Sequence, residues 1–522
     1  MAVVLLPRHA GTERPRTSLA RLFGGIERLL AVEHHVLRLP TAVAWSDAAL
    51  RVWLRDHAAG VDLVVGTTLP VLRTLRELGW RGRAVVKALG ELPRGGAGLR
   101  ALLPHLDGGD VVWCSSAADL RIYRALVGSG GPRAVVVPYG LADDRPAPAG
   151  PDARARLRRR WGLPPRDFVL VYAGRVTLEK NVHALLEVTA VLRRAGWPAR
   201  LLIVGSWEEE AFDHFCLPSV DLRGRLVDLA RSAGLERHVH LLPPLDDAAL
   251  VELLRLADAF VNLTLHHDEN FGYAQVEAMG AGLPVVATAW GGVMDTVRDG
   301  ETGLLADTWL SGHGIRFDLP RVVDALEQLA GDPGLRDEMG RAAAHTALEY
   351  GPAAYRARLL ALVAGALAGP HGGSPVRYTA FGAAFDRRFR RPGRAGNAPA
   401  APVYHGFSDP DYTRLIEPYT SRGWLRHAPG SRLFVAIAGR VEGDRFVSSD
   451  PLWPGRIPLS EPEARALRRL DRRRPVPDRD VDHGLETIPG LLQKGLAGIA
   501  WDRAAVPSRG VPGGRIDRCV RS

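Results

Sequence analysis

The sequence predicts an α/β protein made of two open, doubly wound parallel-sheet domains, followed by a smaller basic extension of uncertain fold. Three observations carry this. Short apolar runs alternate with helix-period stretches twice along the chain, over 1–145 and again over 168–350, as strands joined by crossover helices do. A turn-rich break at 143–151 separates the two series. A chain of 522 residues also exceeds what one ordinary hydrophobic core holds.

In the first series the strand candidates are Val3–Leu6, Val36–Leu39, Val61–Val65, Ala84–Lys87, Val111–Trp113 and Ala134–Val137, with helical patterns such as Ser18–Ala31 and Ala48–His57 between them. In the second they are Phe168–Tyr172, Leu201–Val204, His238–Leu241, Ala259–Leu263, Pro284–Ala287 and Gly303–Leu305. Helices are expected over Lys180–Ala195, Arg223–Ala233, Asp247–Ala257 and Phe271–Ala281. Three more helical patterns, near Leu319–Ala330, Leu335–Tyr350 and Pro352–Ala368, close this part. Residues 370–410 are rich in Gly, Pro, Ala and Arg and read as irregular. Order returns with a strand at Leu433–Ala438 and short helices at Glu461–Arg469 and Ile488–Leu496. Ser460 followed by Glu461 and Glu463 is an N-terminal helix signal. The extension, 370–522, weakly resembles a winged-helix module.

Composition narrows the class. The hydrophobic fraction, 46%, is that of a soluble globular chain. Met1–Leu6 lacks a basic leader and runs into Pro7-Arg8, so no signal peptide is expected. No stretch approaches the ~18 apolar residues a membrane helix needs. Three scattered cysteines give neither a metal spacing nor a disulfide framework. A cytoplasmic location is the expectation. Residues 1–370 carry 42 Lys+Arg against 42 Asp+Glu, and residues 371–522 carry 26 against 16, so the whole surplus of +10 lies in the extension. It reads as an arginine-rich solvated surface, with an anionic or peptide partner as the alternative. Only Lys87, Lys180 and Lys494 are lysines.

Two constellations carry chemistry. In the first, Gly174-Arg175 leaves a strand and Lys180-Asn181 enters a helix. Glycine allows close backbone approach, and two cations beside a helix N-terminus can converge on a pyrophosphate. The second is the run from His266 to Val286, which contains Glu269-Asn270-Phe271-Gly272-Tyr273 and Glu277. If the span were all helical, Glu269 and Glu277 would lie ~12 Å apart along the axis. That is longer than the ~5–9.5 Å of paired glycosidase carboxylates. The two acids therefore suit different parts of one extended ligand. His266 and His267 read as solvated loop residues.

On these motifs, continued through Gly291-Gly292 and Asp299-Gly300…Gly303-Leu304-Leu305, the sequence resembles the family 4 glycosyltransferases. The likeness covers roughly residues 100–350 and is strongest over 168–305. It implies a GT-B fold, with two Rossmann-like doubly wound domains facing a cleft. It also implies a retaining hexosyltransferase-type activity that uses a nucleotide-diphosphate sugar as co-substrate, without cofactor or metal. By the resemblance, Arg175 and Lys180 hold the diphosphate and Glu269 lies near the donor sugar, a catalytic set of three. Glu277 grips the ribose, and Gly174, Asn270, Phe271, Gly272 and Tyr273 border the donor.

The implied domains are 1–145 on the acceptor side and 150–350 on the donor side, with 351–369 as a closing helix that returns to the first domain. The acceptor is a saccharide, lipid, peptide or small molecule. A degenerate transferase that binds partners through the extension is the alternative. The first half departs from the family pattern. The stretch 86–92 holds no histidine, leaving Lys87 or Glu91 for its place, and the loop 9–16 has one glycine instead of a pair. Because everything the resemblance needs lies before residue 370, removal of 371–522 is expected to leave nucleotide binding intact.

Overall fold

The computed structural model describes residues 2–7, 18–40, 43, 46–66, 68–88, 92–94, 97–128, 131–141, 146–207, 221–267, 269–369, 376, 378–389, 410–481 and 486–501. These divide into two compact units. One joins 2–141 to 349–389, and the other joins 146–348 to 410–501.

The first unit is a six-stranded parallel sheet in the order β2-β1-β3-β4-β5-β6. Its strands are β1 (Val3–Leu6), β2 (His35–Arg38), β3 (Leu63–Val65), β4 (Arg83–Lys87), β5 (Val111–Cys114) and β6 (Arg133–Val136). They read as unbroken apolar runs because helices cover both faces of a parallel sheet. On one face Leu5 and Val64 pack against Leu50 and Leu54 of helix Asp47–His57 and against Val71 and Leu75 of helix Leu69–Glu77. Helix Pro352–Leu367 belongs to this unit. Tyr355 seats on Gly140, where a Cβ would meet the ring at 2.4 Å, and the Leu141 N–H donates to the Tyr350 carbonyl at 2.7 Å.

The second unit repeats the plan, in the order β12-β11-β10-β7-β8-β9. Its strands are β7 (Phe168–Ala173), β8 (Ala199–Val204), β9 (Val239–Leu242), β10 (Ala259–Asn262), β11 (Val285–Thr288) and β12 (Gly303–Ala306). A hairpin of β13 (Thr308–Ser311) and β14 (Gly314–Phe317) follows.

The extension is not the separate module expected over 370–522. Residues 378–389 lie in the first unit, where the Thr379 hydroxyl donates to the Ala125 carbonyl at 2.5 Å. Residues 410–501 lie in the second. There β15 (Arg432–Val435), β19 (Val476–Pro477) and β20 (Ala497–Ala500) form one antiparallel sheet, and β16 (Gly439–Glu442), β17 (Arg445–Ser448) and β18 (Gly455–Pro458) form another. Helix Glu461–Arg469 starts with a complete capping box between Ser460 and Glu463. The winged-helix likeness fails on connection length. The next helix, Thr487–Gln493, follows only after 470–486, far more than the three- to four-residue turn of a helix-turn-helix.

The chain closes this way because the extension has apolar surface that the β13–β14 hairpin completes. The Trp309 ring meets Phe434 edge-on, and both side chains are fully buried. The Leu310 N–H donates to the Gly423 carbonyl and the Gly312 N–H to the Gln493 carbonyl, each at 2.7 Å. Polar groups lock the same seam. Arg472 grips Glu187 of helix Val182–Arg194 through two bonds, at 2.7 and 3.0 Å. Arg316 Nε donates to the Gly495 carbonyl at 2.8 Å.

Asp450 is largely shielded from solvent, with its side chain 12% exposed and its Oδ1 3.3 Å from His183 Nε2. Burial alone would raise its carboxyl, but His183 and the guanidinium groups of Arg472 and Arg316 hold it down at about 2. A depressed carboxylate stabilises the fold above its unfolded pKa of ~3.9 and loses that effect as pH falls through the folded value. Asp450→Asn is expected to lower stability by about 3 kcal/mol at neutral pH, because it leaves buried cations uncompensated. Denaturant unfolding of both proteins checks this, and the gap should narrow as pH falls from about 4 toward 2.

Candidate donor site

The carboxyl ends of β7 and β10 and the turn after β11 supply the candidate site. β7 is followed by Gly174 (φ +149°), whose N–H donates to the Val204 carbonyl at 3.0 Å. β8 is followed by Gly205 (φ +152°), where a Cβ would lie 1.6 Å from the Gly174 carbonyl oxygen. Only two glycines permit that approach. The Tyr172 hydroxyl donates to the Arg175 carbonyl at 2.6 Å. Burial, helped by the Glu269 carboxylate, pushes the Tyr172 phenol up, so it stays a donor there. Gly174 and Arg175 are exposed at the end of the sheet.

The chain then turns inward. Glu179 is buried, its carbonyl accepts from the Leu265 N–H at 2.9 Å, and burial raises its carboxyl. Asn181 takes a left-handed conformation (φ +57°) and opens helix Val182–Arg194. Lys180, just before that helix, forms an ion pair with Glu269 Oε2. The structure thus joins two residues that lie 89 positions apart in the sequence. Glu269 is 6% exposed.

Glu269 is held by its backbone. Its N–H donates to the His266 carbonyl at 3.0 Å, and its carbonyl accepts from the Gly292 N–H at 2.8 Å. The Trp290 indole donates to the His266 carbonyl at 2.8 Å. A Cβ on Gly292 would stand 2.2 Å from the Asn270 carbonyl carbon, so the turn after β11 presses directly on the 269–271 backbone. Asn270 and Phe271 are buried. Gly272 (φ +86°) caps helix Tyr273–Gly280, and Gln275 ties the Phe271 carbonyl (3.2 Å) to Asn262 (3.1 Å).

Two sequence readings change here. The helix begins at Tyr273, not Phe271, and leaves Glu269 in the preceding loop. The 12 Å axial spacing therefore does not describe Glu269 and Glu277; Glu277 sits half-buried on the helix. His266 and His267 are not solvated. Both are buried, with their rings stacked at 4.6 Å.

In the first unit Lys87 is buried. Its Nζ donates to Ser115 Oγ at 2.7 Å and lies 4.4 and 4.7 Å from the ring centres of Tyr139 and Trp113. Glu91 and the loop 9–16 fall outside the described residues. Among the described residues no group of three or more His, Cys, Asp or Glu could hold a metal ion, and no helix is long and apolar enough to cross a membrane.

Sequence reasoning passed over Trp290, Gly205 and Tyr419. The Trp290-Gly291-Gly292 turn did carry a signal, since paired glycines after a strand mark close backbone approach.

Residues 153–345, which contain this whole constellation apart from Tyr419, match the family described as glycosyl transferases group 1. D-inositol 3-phosphate glycosyltransferase of Actinosynnema mirum is 36% identical over 218 residues, 41% of this chain and 47% of that protein. The chain spans about half the length of the curated relatives it matches first. Sucrose-phosphate synthase from Thermosynechococcus elongatus superposes with a TM-score of 0.54 at 18% identity, covering 70% of this chain and 98% of its own. Anabaena Alr3699/HepE, solved in complex with UDP and glucose, superposes at 0.52 and 17%, covering 70% and 100%. The two parallel sheets are those of the GT-B glycosyl transferases.

Proposed function

We propose that the protein is a glycosyltransferase that moves a sugar from a nucleotide-diphosphate sugar to a hydroxyl-bearing acceptor with retention of configuration. The observation that carries this is the Lys180–Glu269 ion pair, set between a helix start and a glycine-framed strand end within a glycosyl transferases group 1 domain.

A diphosphate entering beside Gly174 takes over the Lys180 ammonium, with Arg175 as the second cation. The freed Glu269 carboxylate turns to the hydroxyl groups of the sugar. Glu277 grips the ribose, and the backbone at Phe271-Gly272-Tyr273 borders the sugar and phosphates. The bond between the anomeric carbon and the phosphate oxygen breaks, and its electron pair leaves with the diphosphate. The acceptor oxygen bonds to the same face of that carbon, and its proton passes to the departing phosphate oxygen. The cations are worth most as the leaving charge grows, where preformed electrostatic stabilisation acts.

Glu277→Ala is expected to raise the donor KM more than it lowers kcat, since a ribose contact is equally strong in ground and transition states. Steady-state kinetics on the donor check this, and a fall in kcat at fixed KM would assign Glu277 elsewhere. The function itself is tested by thermal shift of the full chain against UDP-, GDP-, ADP- and dTDP-sugars. A ligand at 100 times its Kd adds ~2.7 kcal/mol. Turnover follows with the donor that binds, using D-inositol 3-phosphate as first acceptor because relatives carry its name. Product anomers are read by NMR, and turnover is expected to persist in EDTA. No stabilisation by any nucleotide sugar would sink the proposal; binding without turnover would favour a degenerate, binding-only protein.

A further inference from the structure

The turn that presses on Glu269 is itself held by a residue of the extension. Tyr419 is fully buried, and its carbonyl accepts the Gly291 N–H at 2.8 Å. Its ring meets Trp290 edge-on, with centres 5.5 Å apart. Gly291 is clamped from both sides: a Cβ there would lie 2.7 Å from two Tyr419 ring carbons and 2.4 Å from the Glu269 carbonyl oxygen. Neighbouring bonds fix the segment that carries Tyr419. Thr420 bridges Trp290. Ser421 Oγ accepts from the Thr308 N–H at 2.9 Å and donates to Asp307 Oδ1 at 2.9 Å. Arg422 pairs with Asp307 at 2.7 Å.

Contacts therefore run without a break from Tyr419 through Trp290, Gly291 and Gly292 to His266 and Glu269. The geometry points to Tyr419 as a positioning residue for Glu269, supplied by the extension to the donor site of the glycosyl transferases group 1 domain. The inference rests on the function proposed above. Tyr419 holds the 290–292 turn in place, and the turn holds the Glu269 backbone, so the carboxylate keeps one orientation after a diphosphate has displaced it from Lys180. Tyr419 acts on the sugar end of the site.

The test uses the full chain with Tyr419→Ala and Tyr419→Phe. UDP, GDP and ADP are titrated by calorimetry, and hydrolysis of the matching nucleotide sugar, with water as acceptor, gives kcat and KM. Folded Tyr419→Ala is expected to keep nucleoside-diphosphate affinity and donor KM within threefold and to lose kcat at least tenfold. Tyr419→Phe, which keeps the ring, is expected to restore kcat. If Tyr419→Ala does not melt cooperatively, Gly291→Ala opens the same joint from the other side and should show the same split. Unchanged kcat in a folded variant, a parallel loss of kcat and nucleotide affinity, or a Phe variant as impaired as the Ala variant each overturn the inference. Failure of the wild-type chain to bind any nucleoside diphosphate would instead strike the proposed function.

Discussion

Lys180→Ala is expected to lower kcat/KM for donor turnover about 10²–10³-fold, the usual loss when one preformed group facing a developing charge is removed. Two effects combine in this variant. On the function proposed above, the cation that meets the leaving diphosphate is gone; the Glu269 carboxylate also loses the partner that compensates its burial. The second effect lowers stability by about 3 kcal/mol on its own, as for other buried pairs broken from one side. Glu269→Gln separates them, because it removes the charge but keeps the shape. Adding Glu269→Gln to Lys180→Ala should recover stability but not activity, and a double-mutant cycle measures the coupling. Turnover within threefold of wild type in Lys180→Ala would remove Lys180 from the mechanism.

A chain ending at Phe389 is expected to lose the cooperative fold of its second unit, against the sequence reading that removal of 371–522 leaves nucleotide binding intact. Truncation uncovers Trp309 and Trp290, each worth ~1.5–3 kcal/mol of burial. It also strips the buried Arg316 of Asp450 and of the Gly495 carbonyl, a loss of ~3 kcal/mol or more. Together these approach the ~5–15 kcal/mol that holds an ordinary domain together. Scanning calorimetry of the full and shortened chains decides. Equal melting temperatures, with nucleotide stabilisation intact in both, would restore the modular picture.

The basic surplus misled that reading. The extension carries 26 basic against 16 acidic residues, and apart from the run Leu433–Ala438 its apolar stretches are short, so the sequence shows little of a core there. Its apolar side becomes one only when Leu433, Ile437, Phe446, Leu467, Ile488 and Leu496 come together from five separate segments. Two of its arginines are engaged in ion pairs within the fold: Arg472 with Glu187, and Arg422 with Asp307.

The strands of both six-stranded sheets were legible as apolar runs in the sequence. β4 was expected at Ala84–Lys87 and runs Arg83–Lys87; β8 was expected at Leu201–Val204 and runs Ala199–Val204. These elements are local: strands buried on both faces write continuous apolar runs, and Gly174 marks its turn within a few residues. Tertiary structure alone decided which charges meet. Lys180 reaches Glu269, Asp450 reaches His183, and Tyr419 reaches Gly291. No periodicity encodes such pairs. They form because burying one polar group requires a partner to arrive from wherever the fold brings it, however distant along the chain.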